Sequence, residues 1–181
     1  MGIDPSLLGT GLVLINTDAT INITLKISTP AMGVERLFHL ENKLLEFLDS
    51  YKDIRLVCIE GGAYREDGRI FDLGEWSGIL KLNLYKRGIS FIQVAPLQLK
   101  KYVSGVGRNK GKSVILLDVF KNFGEEIRDE DIADAYVLAQ ISRAYYFLFN
   151  LQENIELKKY QQQVLDKIHK VHIEHIVKKI I

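Results

Sequence analysis

The sequence predicts a mixed α/β domain, one five-stranded sheet with helices on its faces. Three observations predict it. The apolar runs 54–59 and 89–95 lack alternation, as strands buried on both faces do. Thr20 to Ser28 alternates Ile21, Ile23, Leu25 and Ile27, the period-2 pattern of a half-covered strand. The remaining segments carry apolar residues every three or four positions, and helices interleaved with strands in this way build layered α/β sheets.

Taken in order, Met1 to Pro5 reads as the end of a first strand, with Ile3 apolar and Asp4 just before a turn. Pro5, Ser6, Gly9 and Gly11 make that turn close-fitting. Leu12–Asn16 and Thr20–Ser28 complete an antiparallel meander. Met32–Tyr51 is an amphipathic helix, with Val34, Leu37, Phe38, Leu44, Leu45, Leu48 and Tyr51 on its apolar positions. Ile54–Ile59 is a buried strand that ends in Glu60-Gly61-Gly62. Gly74–Lys86 reads as a helix and Ile89–Ala95 as a second buried strand. Pro96 opens a short helix, Ser104–Gly107 is a loop, and Lys112–Phe123 and Asp129–Asn150 are helices. The nuclear unit of the fold is 1–150. Residues 151–181 form a C-terminal helical extension, with Leu157, Tyr160, Val164, Ile168 and Val171 at helical spacing.

The bulk composition narrows the classes. A chain of 181 residues, 47% hydrophobic and 26% charged, is enough for one domain with a good core. Net charge is +1, so overall charge names no partner. Cys58 is the only cysteine, which excludes an intrachain disulfide and a cysteine metal cluster. No apolar run is long enough to span a bilayer, and no signal peptide is read, so the cytoplasm is the expected compartment. Charge is nevertheless concentrated locally. Residues 98–122 hold Lys100, Lys101, Arg108, Lys110, Lys112 and Lys121 against Asp118, six cations and one acid, a local net of +5. Such a segment suits a polyanion; a solvated face is the plainer reading.

The chemistry gathers around Arg128–Ala135. Four carboxylates fall in the six residues from Asp129 to Asp134. Asp129 and Glu130 suit an N-cap and a first helical turn. Asp131 and Asp134, three apart, share one face, and two charges that close repel unless a cation sits between them. Asp4 ends the first strand and Glu60 the first buried strand, and ligands of open α/β sheets sit beyond strand carboxyl ends. A turn carboxylate and a solvated strand end are the plain readings of these two. Together, Asp4, Glu60, Asp131 and Asp134 make an oxygen-rich set that suits Mg²⁺ or Mn²⁺. His169, His172 and His175 recur every three residues, which drifts around a helix and makes a poor metal site, so they are expected to face solvent or phosphate.

In this order and spacing, five motifs resemble the RuvC family of Holliday junction resolvases. They are Gly2-Ile3-Asp4-Pro5 with Thr10-Gly11; Ile59-Glu60; Leu73-Gly74-Glu75-Trp76-Ser77-Gly78; Val103-Ser104-Gly105-Val106-Gly107 with Lys112-Ser113; and Asp131-Ile132-Ala133-Asp134-Ala135. The resemblance runs from Gly2 to about Tyr146. It implies a ribonuclease H-like fold and a metal-dependent endonuclease that cuts Holliday junctions and other branched DNA. So divergent a chain fits a stand-alone member of phage or plasmid type. Asp4, Glu60, Asp131 and Asp134 would be the metal ligands, holding two Mg²⁺ or Mn²⁺ ions. Lys112, with Lys100 or its neighbour Lys101, would contact phosphate, and Arg108 and Lys110 would extend that surface. Tyr64 is the candidate for an aromatic residue that distorts the junction; a surface tyrosine is the alternative. The resemblance also implies a homodimer, matching the two-fold symmetry of a junction. Trp76, Ile79, Leu80 and Leu84 are candidates for that contact, although their periodicity favours core. Two other readings stay open: a non-cleaving module that binds branched nucleic acid, and a phosphate-loop ATPase suggested by the first motif. The first strand is short, so Asp4 is either weakly anchored or preceded by further chain.

Overall fold

The computed structural model describes residues 1–61, 70–106 and 113–177. Its strands are β1 (Gly2–Asp4), β2 (Thr10–Ile15), β3 (Ile21–Ile27), β4 (Val57–Glu60) and β5 (Phe91–Val94). They form one sheet in the order β3-β2-β1-β4-β5. β1 pairs antiparallel with β2, and β2 with β3; β1 pairs parallel with β4, and β4 with β5. The expected meander and the mixed sheet are therefore both present. The helices are α1 (Gly33–Ser50), α2 (Ile70–Lys86), α3 (Pro96–Ser104), α4 (Ser113–Phe123), α5 (Glu130–Tyr145) and α6 (Lys159–Val177).

Side-chain alternation divides the sheet between two cores. Ile3, Leu12, Val57 and Ile59 point to the face covered by α1 and α2, joining Leu40, Leu44, Trp76, Leu80 and Leu84. Val13, Cys58, Ile92 and Val94 point to the opposite face, under α5 and the layer of α3, α4 and α6. α5 is buried on nearly every side, from Ile132 to Tyr145, which is why its sequence is apolar all round. It lies directly on the central strands. A β-carbon on Gly2 would overlap the Ala135 carbonyl oxygen, and one on Gly11 the Asp131 carbonyl oxygen. Glycine at both positions lets the helix backbone touch the sheet.

Several expectations change in detail. The short first strand is firmly held, because it is the central strand and bonds on both sides. The Met1 nitrogen donates to the Leu56 carbonyl at 2.9 Å, and the Cys58 N–H to the Met1 carbonyl at 2.8 Å. β4 starts at Val57, with Ile54 and Leu56 buried in the connection before it. α2 begins four residues before Gly74. α5 ends at Tyr145 and relaxes into a π-helical turn, Tyr146–Leu151, closed by Gln152 at φ 57°. Trp76, Leu80 and Leu84 are fully buried and Ile79 partly so, hence they are core and cannot carry a dimer contact.

The C-terminal helix packs on the core of the sheet domain. Val164, Leu165 and Ile168 are buried against the α5 layer, and the Gln161 amide donates to the Tyr102 carbonyl at 3.3 Å. The histidine expectation is corrected here. His169 stacks on Phe149 at 3.9 Å and shares a 2.9 Å hydrogen bond with the Tyr145 hydroxyl, and His172 sits edge-on to Tyr145. Aromatic partners hold both rings. Among the described residues, no helix is long and apolar enough to cross a membrane.

Candidate active site

Strand register places the acids. β1 and β4 run parallel with Gly2 beside Cys58 and Ile3 beside Ile59. Asp4 and Glu60 are the next step along, at the carboxyl ends of adjacent strands, on the face that α5 covers. α5 enters above them. Asp129 is its N-cap, accepting from the Ile132 N–H at 3.1 Å, so Asp131 falls in the first turn and Asp134 one turn further in. Because α5 rests on Gly2 and Gly11, that first turn is pressed onto the end of β1. Asp4 is 7% exposed, a carboxylate almost wholly withdrawn from water.

The electrostatics follow from this crowding. Burial, and then the charges of Glu60, Asp134 and Asp131, hold the Asp4 carboxyl well above its ordinary range, with a hydrogen bond shared with Glu60 adding to them. Burial and then Glu60 push Asp134 up to about 7; Asp131 and Glu130 add to this, and the Lys100 ammonium pulls against it. Glu60, Asp131 and Asp134 thus all act on Asp4. Among the described residues, however, no three are drawn in around a single point. The two findings concern different ranges, since charge repulsion reaches further than a metal–oxygen bond. Asp131 shows why the set stands open. Its Oδ2 lies 2.6 Å from Lys26 Nζ, which also holds Asp129 Oδ2 at 2.7 Å.

The donor set fits a hard divalent cation. It is all carboxylate oxygen, Asp4 is buried and the other three are half-buried, and the repulsion on Asp4 and Asp134 is of the kind a cation relieves. A buried carboxylate left among like charges is otherwise a pure cost.

The cationic candidates separate. Lys100, on α3, lies close enough to draw Asp134 down. Lys101, one residue on, faces α6 and donates to Gln163 at 3.0 Å. The helix therefore favours Lys100 over its neighbour at the site. Lys112, Arg108, Lys110 and Tyr64 lie outside the described residues. Behind the acids, the Trp76 indole donates to Thr10 Oγ1 at 3.0 Å, and that hydroxyl donates to the Ser6 carbonyl at 2.7 Å, pinning the turn after Asp4. Sequence reading missed both the Thr10–Trp76 link and Lys26. For Lys26 the signal was the hairpin register: Lys26 stands opposite Gly11, and Gly11 opposite Asp4, so the three form one row across the sheet.

Comparison with known proteins decides the family. The model of the crossover junction endodeoxyribonuclease RuvC family matches residues 1–142. The chain belongs to the RuvC family. A RuvC from Caldanaerobacter subterraneus is 30% identical over 145 residues, spanning 77% of this chain and 88% of that protein. A RuvC from Ruegeria pomeroyi is 30% identical over 112 residues, 62% and 67% of the two chains. The Thermus thermophilus RuvC structure shares the fold at a TM-score of 0.63 with 23% identity, covering 83% of this chain and 95% of that one. The T. thermophilus RuvC structure in complex with a Holliday junction substrate superposes at a TM-score of 0.64 with 20% identity. The ribonuclease H-like architecture expected from the motifs is that of these RuvC structures. RuvC proteins are metal-dependent nucleases.

Proposed function

We infer that this chain is a metal-dependent endonuclease that resolves Holliday junctions and related branched DNA, acting as a homodimer. The observation that carries the reading is the buried Asp4 beside the half-buried Glu60, with the first turn of α5 that carries Asp131 and Asp134 above them, in a chain of the RuvC family. In this reading Asp4, Glu60, Asp131 and Asp134 hold Mg²⁺ or Mn²⁺, two ions per site. Those ions supply an activated water and neutralise charge on the phosphate oxygens.

The chain's own groups do the rest. Rigid strand ends fix Asp4 and Glu60, while the N-terminal turn of α5 fixes Asp131 and Asp134, so the donor set is positioned by the sheet and one helix. The same four carboxylates repel DNA phosphate, so attraction for the backbone must come from cations around them. Lys100 at the site edge serves that role, with Lys112, Arg108 and Lys110 completing the basic segment and Lys101 at its margin. Tyr64 is retained as the residue that distorts the junction. In this reading the unit that carries this chemistry is 1–150 and the extension is 151–181, whose helix α6 braces the unit from the α5 side through Val164, Leu165 and Ile168.

The dimer surface we assign lies on the exposed side of α2. Phe71, Leu82 and Tyr85 are large, apolar and outward-facing, and Gly74 and Gly78 between them leave open space beside the helix backbone. A helix from a second copy can approach closely there. The alternative of a non-cleaving junction-binding module is less well supported, because all four acids are present and Asp4 is held in the central strand of the sheet.

The test is cleavage of a synthetic four-way junction with Mg²⁺, with EDTA, and against linear duplex. Symmetric nicks that require the ion are expected on the junction and none on duplex. Asp131→Asn should lose cleavage by on the order of 10³-fold or more, the loss of several kcal/mol of charge stabilisation, while junction binding persists. Normal cleavage by Asp131→Asn would refute the site.

A further inference from the structure

Lys26 places a permanent cation inside a site built for divalent ions. Its Nζ lies 2.6 Å from Asp131 Oδ2 and 2.7 Å from Asp129 Oδ2. The seat is shaped for it. A β-carbon on Gly9 would sit 2.5 Å from Lys26 Cε and 2.7 Å from Asp131 Oδ2, so the glycine leaves the space in which these two side-chain tips meet beside the β1–β2 turn. The two carboxylates differ in freedom. Asp129 is tied down, one oxygen capping α5 through the Ile132 N–H and the other holding Lys26. Asp131 belongs to the acid set, and its side chain is 31% exposed.

We propose that Lys26 is a built-in counter-cation for Asp131, holding that carboxylate toward Asp129 in the ion-free protein and yielding it to the divalent ion by exchange. This rests on the four-acid reading of the active site. An ammonium has three donors and no lone pair, so it cannot ligate the ion, and its positive charge beside Asp131 opposes a divalent cation on the same carboxylate. Asp129 keeps the ammonium when Asp131 leaves, which makes the exchange cheap. The outcome is a site that stays partly neutralised before loading and has its affinity for the ion set by Lys26. Lys26 is in these terms a positioning residue.

The experiment is calorimetric titration of Mn²⁺ into the full chain without DNA, for wild type, Asp4→Asn, Lys26→Met, Asp129→Asn and the Lys26→Met/Asp129→Asn double variant. Lys26 is 37% exposed, so its replacement leaves the core intact. Lys26→Met should bind Mn²⁺ about tenfold tighter, the combined effect of one half-exposed ion pair removed and one repelled charge gone. Asp129→Asn keeps the helix cap but removes the second seat, so it should bind more weakly, and that penalty should shrink in the double variant. Unchanged or weaker binding by Lys26→Met, or an undiminished Asp129→Asn penalty in the double variant, overturns the proposal. Absent Mn²⁺ binding by wild type, or normal binding by Asp4→Asn, refutes the four-acid reading itself and the proposal with it.

Discussion

At Asp134, burial and the charge of Glu60 act in the same direction, so its carboxyl is raised from 3.8 to about 7, and Asp4 moves the same way. The folded chain therefore keeps protons there that the unfolded chain gives up, and stability falls as pH rises from about 4 to about 7. Asp129 and Asp18 are lowered instead, so they favour the fold above the ordinary carboxylate range and set the acid limit of the window. Without divalent ions the melting temperature should be lower at pH 8 than at pH 5.5 by at least a few degrees, each kcal/mol being worth about 2–4 °C in a chain of this size. Asp134→Asn should flatten that slope, and Mg²⁺ should raise the melting temperature most at pH 8; differential scanning calorimetry reads all three. The same residues show what was legible beforehand. Isolated acids at strand ends and in a helix's first turn stand out in one dimension, so Asp4, Glu60, Asp131 and Asp134 could be named from spacing. Lys26 could not, because its relation to Asp131 passes through a hairpin register and a glycine gap. Spacing did not separate Lys100 from Lys101 either; the resemblance named Lys100 with Lys101 as its substitute, and the direction each side chain takes from α3 is visible only in the fold.

Among the elements, α5 and β1 set the site jointly. Contact at Gly2 and Gly11 presses the first turn of α5 onto the end of β1, so small changes there move carboxylates. Gly2→Ala puts a methyl group into the Ala135 carbonyl and should cost about 1–3 kcal/mol, with α5 lifted from the sheet. Thermal melts read the stability loss, and weaker Mn²⁺ binding reads the displaced helix; unchanged values for both would contradict the close packing. Helices and strands were legible because periodicity encodes which face is covered. Their ends were less so: β4 begins after a buried approach at Ile54 and Leu56, and α5 passes into a π turn that no periodicity announces. His169 and His172 of α6 were misread as solvated, because their aromatic partners, Tyr145 and Phe149, are adjacent only in space, while the side chain of His175 lies outside the described residues.

For the molecule as a whole, the face of α1 and α2 away from the sheet is richer in apolar groups than a solitary domain needs. Val34 and Phe38 on α1, with Phe71, Leu82 and Tyr85 on α2, are all exposed. If α2 is the dimer contact, Leu82→Arg should produce monomers in sedimentation velocity while the fold, judged by circular dichroism, is unchanged. Paired cuts on a junction should then give way to single nicks. A dimer that survives Leu82→Arg would move the contact elsewhere. The family resemblance had offered Trp76, Leu80 and Leu84 on the same helix, whereas their periodicity favoured core. Their burial shows how an amphipathic helix with two apolar stripes hides which one is outward until the sheet is present.

The position of β1 has a consequence for how activity appears during folding. The meander of β1, β2 and β3 can form from residues close in sequence, but Glu60 must be brought back across some fifty residues, and α5 across more than a hundred. Each closure adds an acid to the one already waiting on β1. On the four-acid reading the nuclease is a late product of its own topology: a partly synthesised or partly folded chain would carry Asp4 yet be unable to cut, and a strand break would become feasible only once the last long-range contact, α5 on the sheet, had formed.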